Sequence, residues 1–283
     1  MKKNCKHEIK AKLELKKIGL QDFSIHLNPK DEGLSNQLLT YGIREPINSY
    51  FLVKRINLTN PSVLDIGGNI GYFPLIEALS KARRVEVYEP VTETYGFLVK
   101  NMATFTNVNC YNLGIGEARG TNTIFITNRR NNSSLEPCKE YMDNNFIRII
   151  KKQKVNIITL SDACDKLISN NILCRMDVEG YEFKILNNIP ENIKEISFEL
   201  HTRILGKKQS INLIEKLEND GFKIILMTRE LEGIINLFKI FGFSIFRIYN
   251  RLKEKRIYVN PKKSEIIKVI GYMQENPHIF ASR

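Results

Sequence analysis

The chain has 283 residues, of which 42% are hydrophobic and 26% are charged. This length can bury one substantial core, and this composition excludes a disordered or fibrous protein. The formal net charge of +12 would attract anions such as nucleic acid, phosphorylated substrates, acidic glycans or a membrane surface, but it does not select among them.

The N-terminal part of the chain predicts helices. Residues 10–60 first alternate basic and apolar positions, and from Leu38 onwards the apolar residues take a mostly helical spacing with Pro46 near its start. We expect residues 1–60 to form a helical lead-in that packs beside the core. The first residues contain no apolar run, so no signal peptide is predicted and we expect a cytoplasmic protein.

The middle of the chain alternates predicted strands and helices. Ser62–Ile66 is a short apolar run that ends in glycines, a helical pattern follows from Tyr72, and a second strand is predicted at 84–89. Further strands are predicted near 108–113, 123–127, 155–160, 172–177, 195–200 and 222–227. This alternation predicts an α/β core over residues 61–230, with a mostly parallel sheet and helices on both faces.

The C-terminal part predicts an insertion and one more strand. Residues 231–275 are predicted as a helical insertion or lid, and residues 276–283 as the final edge strand of the core. The apolar stretch 233–249 contains Asn236, Lys239 and Arg247, so it is too short and too charged to span a membrane. Residues 233–255 could lie on a membrane surface, because basic side chains flank the apolar stretch, or the stretch could be a helix buried against the sheet.

A glycine turn joins the first core strand to its helix. The sequence D-I-G-G-N-I-G at residues 65–71 lets the backbone approach a ligand closely, and the helix N-terminus adds unpaired N–H groups. Dinucleotide sites use G-x-G-x-x-G, whereas this turn has an acidic residue and D-x-G-x-x-x-G spacing. A carboxylate would repel a pyrophosphate but suit an ammonium group, which S-adenosylmethionine carries. We therefore predict S-adenosylmethionine as the cofactor, with a structural turn or another nucleotide as the alternatives, and contacts from Asp65, Gly67, Gly68, Asn69 and Gly71.

Residues after the next two strands extend this predicted cofactor site. Glu89 ends the second strand, where its carboxylate can accept hydrogen bonds from both hydroxyls of an adenosine ribose. A stabilising role at the start of the following helix is the alternative for Glu89. Asn112 and Gly114 follow the third strand and would border the adenine, although a plain loop fits nearly as well.

Taken together, these motifs resemble the FkbM family of methyltransferases. The resemblance is carried by residues 41–46 (YGIREP), 65–72 (DIGGNIGY), 88–90 (YEP), 159–162 (TLSD), 176–182 (MDVEGYE) and 198–201 (FELH). It implies a Rossmann-like class I methyltransferase fold with a seven-stranded sheet, S-adenosylmethionine as methyl donor, and usually a hydroxyl acceptor, often on a sugar or polyketide. This chain departs from the family pattern at Gly68, which is usually Ala, at Arg175, which is usually Lys, and in residues 231–275.

Acidic residues and one histidine follow the later strands. Asp177 and Glu179 could position an acceptor hydroxyl or take its proton. Asp177 would also contact the cofactor, and helix capping is the alternative for Glu179. Glu199 and His201 are predicted on one face of the next strand, with His201 as general base and Glu199 or Asp177 fixing its tautomer. Asp177, Glu199 and His201 could also gather a metal ion, but their spacing is too loose to support one, so no metal site is predicted.

The acceptor is the least specified part of the sequence. Ser133 and Ser134 lie in a polar loop and are predicted to contact the substrate, against the alternative of a solvated loop. The preferred function is methylation of a hydroxyl on a glycan, lipid-linked sugar or secondary metabolite. RNA methylation would use the charge of +12 but lacks a recognisable RNA-binding module. A non-catalytic protein that binds nucleotides or nucleic acid on the same fold is the third hypothesis.

Overall fold

The computed structural model describes residues 9–136, 147–228, 257–272 and 276–283. In chain order its strands are β1 (Ile9–Leu13), β2 (Phe23–Leu27), β3 (Ser62–Ile66), β4 (Val85–Tyr88), β5 (Val108–Tyr111), β6 (Gly114–Gly116), β7 (Gly120–Thr127), β8 (Ile149–Thr159), β9 (Ile172–Met176), β10 (Ile193–Glu199), β11 (Lys223–Met227), β12 (Ile257–Val259) and β13 (His278–Ser282). Its helices are α1 (Leu34–Tyr41), α2 (Pro46–Thr59), α3 (Tyr72–Leu79), α4 (Thr92–Met102), α5 (Leu160–Asp165), α6 (Glu182–Ile185), α7 (Thr202–Asn219) and α8 (Lys263–Tyr272).

An eight-stranded sheet forms the centre of the fold, in the order β12-β11-β13-β10-β9-β3-β4-β5. The five strands from β10 to β5 pair in parallel, whereas β13 and β12 each pair antiparallel with their neighbours. The predicted Rossmann-like α/β fold is therefore confirmed. The sheet has one strand more than the seven predicted, because β12 is too short to stand out in a segment that reads as helical.

Helices cover both faces of this sheet, and the strands feed two cores. Val63 belongs to the core under α1 to α4, whereas Leu64 and Ile66 belong to the core under α5 to α8. Because successive side chains of a strand point to opposite faces, Asp65 lies on the same face as Val63. This alternation determines which polar side chains reach the site.

Residues 9–27 correct the predicted helical lead-in. β1 and β2 form an antiparallel hairpin in which Ile9 pairs with Leu27 and Leu13 with Phe23. Ala11 and Leu13 are buried while Lys10 and Lys12 are exposed, which is the period of a strand and not of a helix. The helical prediction holds from α1 onwards, and α2 begins at Pro46, where a missing N–H is harmless.

The C-terminal strand is also placed differently from the prediction. β13 is not an edge strand, because it pairs with both β10 and β11. Its residues Ile279, Phe280 and Ala281 are buried, as expected of a strand with neighbours on both sides. Within the predicted helical insertion, residues 257–259 form the strand β12, whereas α8 agrees with the predicted helical character. The apolar stretch 233–249 lies outside the described residues, and within the described ones no helix is both long and apolar enough to cross a membrane.

A second sheet carries the polar loop towards the main sheet. Its order is β6-β8-β7, and β7 pairs antiparallel with β8 along its whole length. After β7 the chain forms a short 3-10 turn at Arg130–Asn132 and returns to bridge Phe125 with Ser134. This loop comes to lie beside the carboxyl ends of β3, β4 and β9.

Candidate active site

The glycine turn after β3 lies against the ends of both neighbouring strands. Gly67 and Gly68 donate their N–H groups to the carbonyl oxygen of Tyr88, at 2.9 and 3.2 Å, where β4 ends. Gly67 has a φ of +81°, and a Cβ at this position would collide with the carbonyl oxygen of Asp177, which follows β9. Only glycine adopts this conformation without strain in so little space. The turn therefore brings the ends of three strands together.

Glu89 is held at the end of β4 by backbone hydrogen bonds. Its Oε2 accepts a bond from the N–H of Asn69 at 3.0 Å, and its Oε1 accepts one from the N–H of Val91 at 2.8 Å. Burial raises the pKa of Glu89 to about 7, although both N–H bonds favour the ionised form. A carboxylate has about four acceptor positions, so Glu89 keeps acceptor capacity for a ligand.

A cleft opens beside Glu89 at the carboxyl ends of β3, β4 and β9, the edge at which open α/β sheets bind ligands. Gly67, Asn69 and Asp177 line it together with Glu89, and Ser134 lines it from the polar loop. Its apolar lining consists of Ile66, Leu113, Ile115, Ile124, Leu135 and Val178, among others. The cleft therefore combines a few carboxylate and backbone groups with apolar walls.

A smaller cavity adjoins the glycine turn. It shares Gly67, Asn69 and Asp177 with the cleft and adds two basic residues, Arg44 and Arg175. Asp177 thus borders both spaces, at the point where the two meet.

Asp177, Glu179 and His201 form a compact polar cluster. The backbone is left-handed at Glu179 and Gly180, with φ values of 48° and 94°, which turns the chain sharply after Asp177. The Nε2 atom of His201 lies 3.3 Å from Oε2 of Glu179 and 4.0 Å from Oδ1 of Asp177. The three side chains therefore face a common point.

His201 has a further carboxylate on its other ring nitrogen. Nδ1 lies 2.6 Å from Oε1 of Glu182, a fully buried residue at the start of α6. Burial opposes protonation of the imidazole, but the carboxylates of Glu182 and Glu179 outweigh it and raise the pKa of His201 well above its ordinary value. The imidazole therefore lies between the carboxylates of Glu182 and Glu179, with one of them at each ring nitrogen.

Arg175 anchors two carboxylates from below the glycine turn. Its guanidinium lies 3.4 Å from Asp65 and 3.5 Å from Asp177, and its Cζ lies 3.9 Å from the centre of the Phe73 ring. Burial, together with the charge of Asp65, raises the pKa of the neighbouring Glu77 well above its ordinary value. Arg175 is therefore the cation that compensates the buried charge of Asp65.

Asp31 ties the polar loop to the N-terminal segment. Its Oδ1 accepts a hydrogen bond from the N–H of Arg130 at 2.9 Å, and its Oδ2 accepts one from the N–H of Ser35 at 2.8 Å. At the other end of the loop, the hydroxyl of Ser134 donates to the carbonyl oxygen of Glu179 at 3.2 Å. The loop is thus connected both to α1 and to the polar cluster.

The methyltransferase FkbM domain family matches this chain over residues 65–244. The chain belongs to the FkbM methyltransferase family. The matched range begins at the glycine turn and includes Glu89, Asp177 and His201, so it contains the cleft and the polar cluster. The protein is accordingly a methyltransferase.

Solved structures resemble this FkbM methyltransferase at low sequence identity. A precorrin-6y C5,15-methyltransferase from Geobacter metallireducens GS-15 is 13% identical, with 85% of this chain and 90% of that chain covered and a TM-score of 0.41. An O-methyltransferase from Bacillus cereus in complex with SAH is 8% identical, with coverage of 85% and 81% and a TM-score of 0.41. A methyltransferase FkbM from Methylobacillus flagellatus KT is 14% identical, with coverage of 49% and 32% and a TM-score of 0.30.

TM-scores of this size carry no conclusion of their own. No curated protein sequence matches the chain significantly. Membership of the FkbM family therefore rests on the sequence match, and the fold rests on the observed strand order.

The structure brings several of the predicted cofactor residues of this FkbM methyltransferase to the cavities. Gly67, Asn69, Glu89 and Gly114 line the cleft, and Gly68 lines the smaller cavity. The predicted substrate residues Ser133 and Ser134 also line the cleft. Their contacts with cofactor and acceptor stay predictions.

Three predicted cofactor residues lie elsewhere. The carboxylate of Asp65 is fully buried on the α3 face, paired with Arg175, and borders neither cavity. Asn112 donates to the carbonyl oxygens of Glu89 and Pro90 at 2.9 and 3.0 Å, so it holds the loop and does not line the cleft. Gly71 precedes α3 with a φ of +95° and serves the turn itself.

The predicted placement of Glu199 and His201 on one face of a single strand is wrong. β10 ends at Glu199, and His201 already stands at the cap of α7, so the two-residue repeat of a strand does not connect them. Glu182 occupies the position predicted for Glu199, with Asp177 on the opposite side of the ring. Its signal in the sequence was its place in the MDVEGYE motif, three residues after Glu179.

Proposed function

We propose that this methyltransferase uses S-adenosylmethionine to methylate a hydroxyl of a glycan, a lipid-linked sugar or a secondary metabolite. The observation that carries the proposal is the cleft itself, which Glu89 and the glycine turn share with Asp177. Glu89 and the glycine turn suit a nucleoside, and Asp177 suits a hydroxyl group or a cation.

The residues of the cleft fit the proposed cofactor. Glu89 can accept the two ribose hydroxyls while its bonds to Asn69 and Val91 keep the carboxylate oriented. Leu113 and Ile115 offer apolar surface for the adenine. Asp177 presents a negative charge that suits the cationic part of the cofactor and that would oppose a pyrophosphate.

Asp177 is the residue best placed to act on the acceptor. Bound in the cleft, S-adenosylmethionine would supply an electrophilic methyl group to the acceptor oxygen, and its sulfur would keep the electron pair of the broken bond. The hydroxyl proton goes to a carboxylate oxygen of Asp177, whose Oδ1 is buried without a hydrogen-bond partner. Arg175, at 3.5 Å, orients that carboxylate before the proton arrives.

Calorimetric titration tests the cofactor. S-adenosylmethionine and S-adenosylhomocysteine are titrated into the wild type and into Glu89→Gln, with NAD as the competing ligand. We expect saturable binding of both sulfur compounds that weakens at least tenfold in the variant, because a ribose hydroxyl loses a charged acceptor. The matched control is Glu191→Gln, which removes an exposed carboxylate ahead of β10. Preference for NAD, or equal binding by Glu89→Gln, contradicts the proposal.

Transfer of a labelled methyl group tests the acceptor. The enzyme is incubated with methyl-labelled S-adenosylmethionine and separate cell fractions that contain lipid-linked saccharides, free glycans, small metabolites or RNA. We expect base-stable label, as in a methyl ether, in one of the first three fractions, and loss of that label with Asp177→Asn. Label confined to RNA would replace the proposal with the RNA alternative.

A further inference from the structure

We propose that Asp177, Glu179 and His201 bind a divalent metal ion at the edge of the cleft. One ligand atom from each of these residues lies within 4.8 Å of the other two. Two carboxylates and one imidazole form a donor set that suits Mn²⁺, Mg²⁺ or Fe²⁺. No other group of this kind is present among the residues that the structure describes.

The distances within this cluster fit ligands around one ion. With metal–ligand bonds of about 2.1 Å, adjacent ligand atoms of an octahedral ion lie about 3 Å apart and opposite ones about 4 Å. The observed separations from Nε2 of His201 are 3.3 Å to Glu179 and 4.0 Å to Asp177. A modest adjustment of side chains would therefore admit an ion.

The surroundings of His201 are those of a metal-bound imidazole. A histidine that binds a metal through one nitrogen almost always has its other nitrogen hydrogen-bonded to a carboxylate, a carbonyl or water. Glu182 supplies this contact at Nδ1, at 2.6 Å. Oε1 of Glu182 also accepts the N–H of Gly180 at 3.1 Å, so both His201 and the turn that carries Glu179 are oriented by one buried group. Nε2 is left to face the cluster.

Asp177 supplies an independent observation. Its Oδ1 atom is buried and has no hydrogen-bond partner, and a buried oxygen of this kind normally has one. Oδ1 is also the Asp177 atom nearest to His201. A metal ion at this point would satisfy the oxygen and compensate the negative charge that Asp177, Glu179 and Glu182 concentrate around the ring.

The role of this ion rests on the proposed function. A divalent ion lowers the pKa of an oxygen bound to it, and this would make an acceptor hydroxyl easier to deprotonate beside Asp177. His201 would then act as a ligand and not as the general base. Binding of the ion itself does not depend on S-adenosylmethionine.

Electron paramagnetic resonance of Mn²⁺ tests the site without any methyl transfer. Free Mn²⁺ gives a sharp six-line spectrum that is lost on binding, so titration of the full chain yields both stoichiometry and affinity. We expect one Mn²⁺ per chain, displaced by excess Mg²⁺ and weakened at least tenfold in Asp177→Asn and His201→Gln. Glu182→Gln keeps the three ligands and should weaken binding by about 10- to 100-fold.

Asp220→Asn is the matched control. Asp220 follows α7 at the end opposite to His201, so its removal takes away the same charge far from the cluster and should leave Mn²⁺ binding unchanged. The proposal is overturned if the free spectrum persists at millimolar Mn²⁺, or if the cluster variants bind as tightly as the wild type. Mn²⁺ binding without S-adenosylmethionine binding would contradict only the proposed function. S-adenosylmethionine binding without Mn²⁺ binding would contradict only the metal site.

Discussion

Replacing Glu89 with glutamine should flatten the pH dependence of folding stability. Burial raises the pKa of Glu89 from 4.5 to about 7 in the folded protein. Between these two values the folded state holds a proton that the unfolded state has already released. The stability contributed by this proton is present below pH 4.5 and is lost as the pH rises through about 7. At about 1.4 kcal/mol per pKa unit, the loss amounts to roughly 3 kcal/mol.

The assay is urea denaturation at about pH 5 and about pH 8, which gives the free energy of unfolding at each pH. Other groups titrate in this interval, so the informative quantity is the difference between the wild type and Glu89→Gln. The variant should lose roughly 2 to 3 kcal/mol less than the wild type between the two conditions. The amide of the variant can accept only one of the two backbone N–H bonds. This loss lowers the free energy of unfolding equally at both pH values, so it cancels in the difference.

Glu191→Gln is again the control, because Glu191 is exposed and precedes β10, at the amino ends of the parallel strands and thus away from the carboxyl ends that carry Glu89. It should lose the same free energy as the wild type between the two pH values. If Glu89→Gln behaves like this control, the raised pKa of Glu89 and the burial argument behind it are refuted.

Three further substitutions probe the turn, the buried ion pair and the loop. Gly67→Ala should destabilise the fold by more than about 1 kcal/mol, since the added Cβ would collide with Asp177. The control Gly96→Ala, in open space on α4, should stabilise the fold by up to about 1 kcal/mol. Equal midpoints of thermal unfolding for the two variants would contradict this prediction. Arg175→Met should lower the free energy of unfolding, measured by chemical denaturation, by about 3 to 5 kcal/mol, because Asp65 stays buried without its cation. Arg175→Lys keeps the charge and should lower it less. Equal losses in the two variants would show that the charge is not the cause. Asp31→Ala removes the acceptor of the Arg130 N–H and should speed amide hydrogen exchange in residues 129–135 but not in β5; unchanged exchange in the loop would argue against this anchor.

The core elements were predictable because their signals are local. The apolar run of β3, the glycines after it and the helical pattern of α3 occur within one short stretch, and each follows from the backbone needs of that stretch. The hairpin of β1 and β2 was missed although Lys10 to Leu13 alternate like a strand, because this short alternation precedes a longer stretch with helical spacing. The position of β13 inside the sheet was not predictable, since strand order depends on pairing between distant segments.

The candidate site divides in the same way. By itself the sequence determined the glycine turn and the acid at the end of β4, because a positive φ and exposed N–H groups are properties of a few consecutive residues. Only the tertiary structure decided that Asp65 points away from the cleft, towards an arginine 110 residues further along the chain. It also decided that Glu182 contacts Nδ1 of His201, across 19 residues of sequence. The pleat of a strand and the end of a strand set where a carboxylate points, and both are fixed by packing against neighbours that sequence spacing does not reveal.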